Sequence, residues 1–355
     1  MTAMQRAAAP AGAPAPSGAG VGPLRWGVLG AADIAVKQVI PAMQRTPAAR
    51  VVAVASRDQA KADRTAQALG IPRAHGSYEA LLADPEVEAV FIPLPNHLHV
   101  PWSLRAAAAG KHVLCEKPIA CRAEELPPLI AARDRAGVQV AEAFMTRTHP
   151  QWRRVRELIA AGRIGELRMV TGHFSYYRRD PDDVRSKPEY GGGVLLDIGC
   201  YPVTMARWLF GAEPLEVACV LERDPDFGVD RYVSGLLRFP GGQAAFTVAG
   251  QAALYQQMQI FGTRGRIAVE LPFNPPPDHR ARILVDDGRD LVGGGVEPIT
   301  FDAVNQYTLQ AERFADAVRG RGAVPVSLED ALGNMLALDA LFRAADSGRW
   351  EKVGP

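Results

Sequence analysis

From Leu24 onward, short apolar runs alternate with stretches of helical periodicity, the pattern of a parallel sheet with crossover helices. Strands are expected at Trp26–Leu29, Val51–Ala55, Ala89–Ile92, His112–Cys115 and Val138–Ala143. Amphipathic helices are expected at Gln59–Leu69, His99–Ala109 and Ala123–Ala136. A glycine follows each of the three, Gly70, Gly110 and Gly137, where a left-handed C-terminal cap belongs.

Beyond Met145 the rhythm changes. A helix near Trp152–Ala161 precedes a strand at Leu167–Tyr177, and further strands are expected at Leu215–Leu221, Tyr232–Phe239, Gln243–Ala249, Gln256–Phe261 and Arg266–Val269. Short turns such as Pro240-Gly241-Gly242 and Gly262-Thr263-Arg264-Gly265 join neighbours and imply a mainly antiparallel sheet. Helices around Thr308–Arg319 and Leu328–Ala345 finish the chain. The fold class is therefore α/β. A doubly wound, Rossmann-type parallel sheet occupies residues 24–145, and an α+β domain for substrate binding and oligomerisation occupies 146–355. Residues 1–23 are Ala, Pro and Gly with almost no large side chains, so a disordered tail is expected.

Composition narrows the partners. The chain has 355 residues, too many for one typical domain, and a formal net charge of +1, which argues against nucleic acid or an anionic membrane. Small molecules are the expected partners. Cys115, Cys121, Cys200 and Cys219 show no CxxC spacing, no secretory pattern opens the chain, and no apolar run is long enough to span a bilayer. A soluble cytoplasmic protein with free thiols is expected.

The chemistry begins at Gly27-Val28-Leu29-Gly30-Ala31-Ala32-Asp33-Ile34-Ala35, a strand running into a helix, as a dinucleotide site requires. Gly30 makes the tight turn. Ala31, Ala32, Asp33 and Ile34 then present the helix N-terminus to a pyrophosphate, with Ala32 standing where a second glycine is usual. At the end of the second expected strand, Ser56 and Arg57 replace the acidic residue that would serve an NAD ribose, and Lys61 follows one turn on. Hydroxyl and guanidinium donors suit a 2′-phosphate, so NADP is favoured over NAD. Leu94-Pro95-Asn96 forms a stiff loop at the next strand end. His99 is read as a hydrogen-bonding residue beside the nicotinamide ribose. No ligand set accompanies His97 and His99, so no metal is expected. Cys115-Glu116-Lys117-Pro118 places a lysine at the end of the fourth expected strand, over the cofactor's reactive ring.

These motifs, with Gly191-Gly192-Gly193-Val194-Leu195-Leu196-Asp197-Ile198-Gly199-Cys200-Tyr201-Pro202, resemble the Gfo/Idh/MocA oxidoreductases. With Glu142-Ala143-Phe144-Met145 and Arg147, that last segment is most similar to the branch of dimeric dihydrodiol dehydrogenase, D-xylose 1-dehydrogenase and glucose-fructose oxidoreductase. The resemblance implies that Lys117 is essential. Tyr201 is the candidate base in oxidation and acid in reduction, its pKa lowered by Lys117. Asp197, four residues before Tyr201, either orients sugar hydroxyls or holds Lys117 charged. Glu116, Met145 and Arg185 complete the expected cofactor-binding set. Arg147, His149 and Tyr177 are expected to line the substrate pocket, with Gln306 and Tyr307 closing over it, while Cys200 packs. The expected activity is hydride transfer between NADP and a sugar, polyol or dihydrodiol, of the aldose 1-dehydrogenase or trans-dihydrodiol dehydrogenase type. Alternatives are a keto-sugar reductase and an NADP-sensing regulator of the same fold. A homodimer or homotetramer is expected.

Overall fold

The structure is a computed structural model that describes residues 22–354; nearly all of the Ala/Pro-rich tail expected at 1–23 lies outside the described residues. The first sheet comprises β1 (Leu24–Leu29), β2 (Ala49–Ala55), β3 (Arg73–His75), β4 (Ala89–Ile92), β5 (His112–Cys115) and β6 (Val140–Glu142). All neighbours are parallel, in the order β3-β2-β1-β4-β5-β6. Strand order reverses between β1 and β4, and ligands bind in the crevice outside the carboxyl ends at such a switch point.

The helices are α1 (Ile40–Met43), α2 (Gln59–Leu69), α3 (Tyr78–Ala83), α4 (His99–Ala108), α5 (Leu126–Ala136), α6 (Pro150–Ala160), α7 (Cys200–Phe210), α8 (Gln306–Val318) and α9 (Leu328–Ser347). Side-chain caps explain where several begin: Asp58 accepts from Lys61 N–H at α2, Ser77 from Ala80 N–H at α3, and Ser327 from Asp330 N–H at α9. Gly70 and Gly137 take the left-handed conformation at the ends of α2 and α5, as expected. The helix expected from Ala123 starts as a tighter turn, Ala123–Glu125, because Pro127 and Pro128 fit only the first turn of α5.

Residues of α1, α2 and α8 bury one face of the first sheet; the Trp26 and Phe314 rings lie 5.2 Å apart there. Helix α8 thus belongs by packing to the first sheet, although it follows the second in the chain. The division drawn at residue 145 is a division of the sequence, not of the core.

The second sheet adds β7 (Leu167–Tyr177), β8 (Glu216–Arg223), β9 (Asp230–Phe239), β10 (Gly242–Ala249), β11 (Gln251–Gly262), β12 (Arg266–Val269), β13 (Arg282–Asp286), β14 (Val296–Thr300) and β15 (Glu351–Lys352). Its order is β14-β13-β12-β11-β7-β10-β9-β8-β15, with β7 and β10 the parallel pair and the other pairs antiparallel. Helices α7 and α9 pack on one face. The opposite face is open and carries a groove of about 660 Å³ lined by Thr171, His173, Val220, Leu236, Gln257 and Trp350 among others.

Sequence periodicity misses β3, β13, β14 and β15. Strand β3 has three residues and buries none fully, β14 carries Pro298 on a sheet edge, and β15 has two residues. With β3 counted, Lys117 follows the fifth strand rather than the fourth.

Candidate active site

Gly30 ends β1 with φ of 122°, a conformation suited to glycine. A Cβ there would come within 2.9 Å of Leu94 Cδ2, so the glycine also lets the loop after β4 close onto the turn. The helix behind it opens at Asp33, leaving the N–H groups around Ala31, Ala32, Asp33 and Ile34 without preceding helical carbonyls. Lys37 pairs with Asp33 at 2.6 Å on the exposed side. Ser56 is buried at the end of β2, Arg57 is exposed beside it, and Lys61 lies on the exposed first turn of α2. The Asp58 carboxylate is committed to capping α2. A ribose diol would have to compete with that cap, whereas Ser56, Arg57 and Lys61 offer donors to a phosphate. The chain's residues therefore fit NADP at this edge.

The loop after β4 is fastened from both sides. His99 is fully buried, with its ring nitrogens 2.7 Å from the Pro118 carbonyl and 2.6 Å from the Leu94 carbonyl. Burial lowers its pKa to about 4, so the neutral ring donates its single N–H to one of these carbonyls while packing against the other, and His99 is wedged between two strand-end loops; this corrects its expected place against the cofactor ribose. Asn96 Nδ2 donates to the Gly191 carbonyl at 2.8 Å, and the His97 ring stacks on Tyr190 at 4.7 Å. The first sheet's loop thereby docks on the glycine-rich segment that leads to Asp197. Gly193 in that segment has φ of 101°, and a Cβ there would collide with Asp230, whose carboxylate accepts from Leu195 N–H at 2.6 Å.

Lys117 reaches across the two sheets. Its Nζ donates to the Asp197 carbonyl at 2.6 Å and lies 3.2 Å from Asp197 Oδ1, with both side chains 12% exposed. The other carboxylate oxygen of Asp197 accepts from Tyr176 O–H at 2.7 Å and from Arg185 Nε at 2.8 Å. Burial opposes ionisation of Asp197, but the charges of Arg185 and Lys117 outweigh it and hold the carboxyl well below the usual range. Burial likewise opposes the Lys117 ammonium, and the Asp197 carboxylate overrides it, so the pKa lies above that of an ordinary lysine. Of the two roles expected for Asp197, its contacts match the one that keeps Lys117 charged.

Asp197 sits in a wide π turn, Leu195–Gly199, that runs into α7. Pro202 lacks the N–H that a regular ladder would use one turn later, and the wider turn stands just before it. Ala35–Val39 forms a second such turn just ahead of Pro41 in α1. Through this wider turn Lys117 touches Asp197 and also lies 5.1 Å from the centre of the Tyr201 ring.

Tyr201 differs from expectation. It is packed among Phe144, Phe174 and Phe273, its hydroxyl lies 3.8 Å from Met145 Sδ, and burial pushes its pKa well above the ordinary value. Lys117 stands beside the ring rather than at the hydroxyl. Burial outweighs any lowering by Lys117, and the phenol is held protonated. Tyr307, at the start of α8, is half-buried, and burial with the nearby Glu116 charge raises its pKa above the ordinary value. Burial raises Glu116 to about 7.

Three residues expected in the substrate pocket are placed elsewhere. Arg147 is buried, paired with Asp330 at 2.7 Å and laid on the Trp208 ring; burial lowers its pKa to about 10. Buried His149 accepts the Gln151 N–H and caps α6. Tyr177 is 69% exposed, because alternation along β7 turns it away from the face that carries Phe174 and Tyr176. Tyr176 is the residue that sequence reading missed, and the same alternation would have selected it. Arg185, expected at the cofactor, is bound to Asp197, while Gln306 Nε2 donates to the Phe273 carbonyl. Cys200 is buried and packs as expected. The described residues contain no group of three side chains suited to a metal ion.

Comparison with known proteins gives this arrangement its context. Residues 24–144 match the oxidoreductase family with an NAD-binding Rossmann fold, and residues 152–268 match the GFO/IDH/MocA C-terminal domain. The chain belongs to the GFO/IDH/MocA oxidoreductase family. It is 49% identical to an uncharacterized oxidoreductase of Rhizobium meliloti over 93% of this chain and 99% of the other. It is 40% identical to a D-xylose 1-dehydrogenase (NADP(+)) of Haloferax volcanii over 92% of this chain and 98% of the other, within the branch that the motifs resemble. A 3-ketoreductase from Actinomadura kijaniata, solved in complex with NADP and TDP-benzene, superposes with a TM-score of 0.84 at 33% identity, covering 91% of this chain and 98% of that one. The family assignment makes this chain an oxidoreductase.

Proposed function

We propose that this oxidoreductase uses NADP to interconvert a hydroxyl and a carbonyl on a sugar or polyol-like substrate, as an aldose 1-dehydrogenase. The observation that carries the reading is the buried Lys117–Asp197 pair at the switch-point edge of the first sheet, on the same edge as Gly30 and beside the Tyr201 ring. The 40% identity to a D-xylose 1-dehydrogenase supports the substrate class.

When bound, NADP supplies the site that accepts or returns the hydride. Residues 31–34 hold its pyrophosphate, while Ser56, Arg57 and Lys61 hold the 2′-phosphate. Lys117, fixed by Asp197, presents an ammonium to the reacting oxygen and stabilises negative charge as it develops there. Asp197 is itself fixed by Tyr176 and Arg185, so the ammonium is placed before substrate arrives. Tyr201 exchanges the proton: in reduction its neutral hydroxyl donates to the carbonyl oxygen and leaves a phenolate, whereas in oxidation the phenol first releases its proton to solvent and the phenolate then accepts the proton of the substrate hydroxyl.

That neutral phenol favours a second reading, reduction of a keto-sugar, in which Tyr201 is already in its working form. The fold similarity to a 3-ketoreductase points the same way. Purified protein is therefore assayed with NADP and a panel of aldoses and trans-dihydrodiols, and with NADPH and keto-sugars. Change in nicotinamide absorbance in one direction selects between the readings, and none in either overturns both. Replacing Arg57 by Ala is expected to raise KM for NADP roughly tenfold to a hundredfold, the worth of a charge-assisted hydrogen bond, with little effect on NAD.

The four cysteines are free, which suits a reducing cytoplasm. The open face of the nine-stranded sheet is proposed as the surface through which copies pair.

A further inference from the structure

Lys117 is held at its tip by Asp197, and its backbone is held by a second device. The peptide unit that joins Pro118 to Ile119, one residue beyond Lys117, is flanked on both sides by buried side chains. Its carbonyl lies 2.7 Å from His99 Nδ1, and its N–H donates to Glu142 Oε1 at 2.8 Å. Glu142 ends β6 opposite Cys115 in register, and it is 2% exposed. Its other oxygen, Oε2, finds no hydrogen-bond partner among the described residues.

A buried carboxyl with a free oxygen is costly. The chain carries it at the end of β6, opposite Cys115, which stands two residues before Lys117, and the next residues turn toward Tyr201. Just beyond Glu142, the Phe144 ring packs edge-on to Tyr201 at 5.3 Å, and Met145 Sδ lies 3.8 Å from the Tyr201 hydroxyl. The β6 end thus sets the lysine's backbone through Glu142 and the tyrosine's ring through Phe144.

We propose that Glu142 is a positioning residue for Lys117, acting with His99 to clamp the Pro118–Ile119 peptide so that the ammonium meets the substrate oxygen. This rests on the catalytic assignment of Lys117. Glu142→Ala removes the acceptor, whereas Glu142→Gln keeps an oxygen in place for the Ile119 N–H.

The experiment compares wild type, Glu142→Ala, Glu142→Gln and Lys117→Ala, measuring kcat, KM, NADPH affinity by fluorescence, and amide exchange in the 116–122 segment. Misplacing a reacting group by about an ångström costs on the order of a hundredfold, so Glu142→Ala is expected to lose roughly tenfold to a hundredfold in kcat. NADPH affinity stays within about twofold, since the phosphate-binding edge at residues 30–34 and 56–61 is untouched. Exchange in 116–122 quickens in Glu142→Ala, and Glu142→Gln recovers most of both losses. The inference is overturned if Glu142→Ala keeps wild-type kcat, or if kcat, NADPH affinity and melting temperature fall together in both Glu142 variants. Unimpaired Lys117→Ala instead sinks the catalytic reading, a result that the exchange data cannot imitate.

Discussion

The two sheets of this protein solve the burial problem differently, and the contrast locates its chemistry. Strands β1, β2 and β4 are covered on both faces and read as nearly continuous apolar runs. Strand β9 alternates buried and exposed positions, and its sheet leaves Val220, Leu236, Tyr255 and Trp350 in solvent. The loop after β5 of the closed sheet contributes the lysine, β7 of the open sheet contributes Tyr176, the π turn ahead of α7 contributes Asp197, and the proposed reacting groups meet where these elements come together. Charge is locked at that seam, whereas the far face of the open sheet exposes Val220, Leu236 and Trp350 among neutral polar side chains such as Thr171 and Gln257. Catalysis should therefore be sensitive to the seam and insensitive to the far face.

Breaking the seam is the largest expected effect. Lys117→Ala removes the ammonium and is expected to cost about a thousandfold in kcat, within the range typical of a positioned proton-transfer or charge-stabilising group. Asp197→Ala leaves the Lys117 ammonium and the Arg185 guanidinium without their shared carboxylate. Losing one partner of a buried pair destabilises by about 3 to 5 kcal/mol, so this variant should lose both stability and kcat. Turnover and chemical denaturation of each variant check the pair. Wild-type stability in Asp197→Ala would mean that the carboxylate does not organise the seam.

The contrast also explains what could be read from the chain before its structure. Rossmann-type strands are legible because double burial makes solid apolar blocks, Gly30, Ser56, Arg57 and Lys117 follow from strand-end position, and Asp197 follows from the motif resemblance and its four-residue spacing from Tyr201. Strand-end position brings the candidate phosphate edge and Lys117 within reach of one-dimensional reasoning, whereas the choice between the two roles of Asp197 depends on contacts that only the folded chain makes. Pocket residues were not, because their roles depend on which way a side chain turns. Arg147 looks like a substrate contact until Asp330, far along the chain, is found to neutralise it. Tyr176 and Tyr177 are adjacent and chemically alike, yet only Tyr176 shares a strand face with Phe174 and reaches Asp197. The phenol of Tyr201 was misjudged for a similar reason: proximity to Lys117 is visible in the motif, but not that the ammonium lies beside the ring.

A smaller effect sharpens the seam by pH. Burial raises Glu142 from an ordinary 4.5 to about 7. Between those values the folded protein keeps a proton that the unfolded chain has released, so stability falls as pH rises from about 4.5 to about 7 and then levels. The contribution is at most about 3 kcal/mol. Glu142→Gln cannot titrate there. Denaturant midpoints at pH 5 and pH 8 should show wild type losing stability relative to Glu142→Gln as pH rises. Glu116 and Asp230 are also raised by burial, to about 7 and about 6, but both are common to the two proteins and cancel in the comparison. A constant gap between wild type and variant would mean that Glu142 is ionised throughout.

The far face should give the smallest change in turnover and the clearest change in mass. Val220 is 75% exposed and Leu236 49% exposed, and both line the groove on the open sheet together with Trp350. Apolar patches of this kind on a regular sheet mark association surfaces. The surface is self-complementary if two copies pair about a two-fold axis, so one substitution acts twice. Leu236→Lys with Val220→Asp places charges in that face without touching the Lys117–Asp197 seam on the other side of the sheet. Light scattering should then report a monomer where the unmodified chain forms at least a dimer, while kcat stays within about twofold of its original value, as expected for surface changes that leave the packed core alone. A monomeric unmodified chain would remove the face's proposed role. A charged variant that dissociates and loses turnover together would show that the open sheet, through its partner copy, also holds the seam in place.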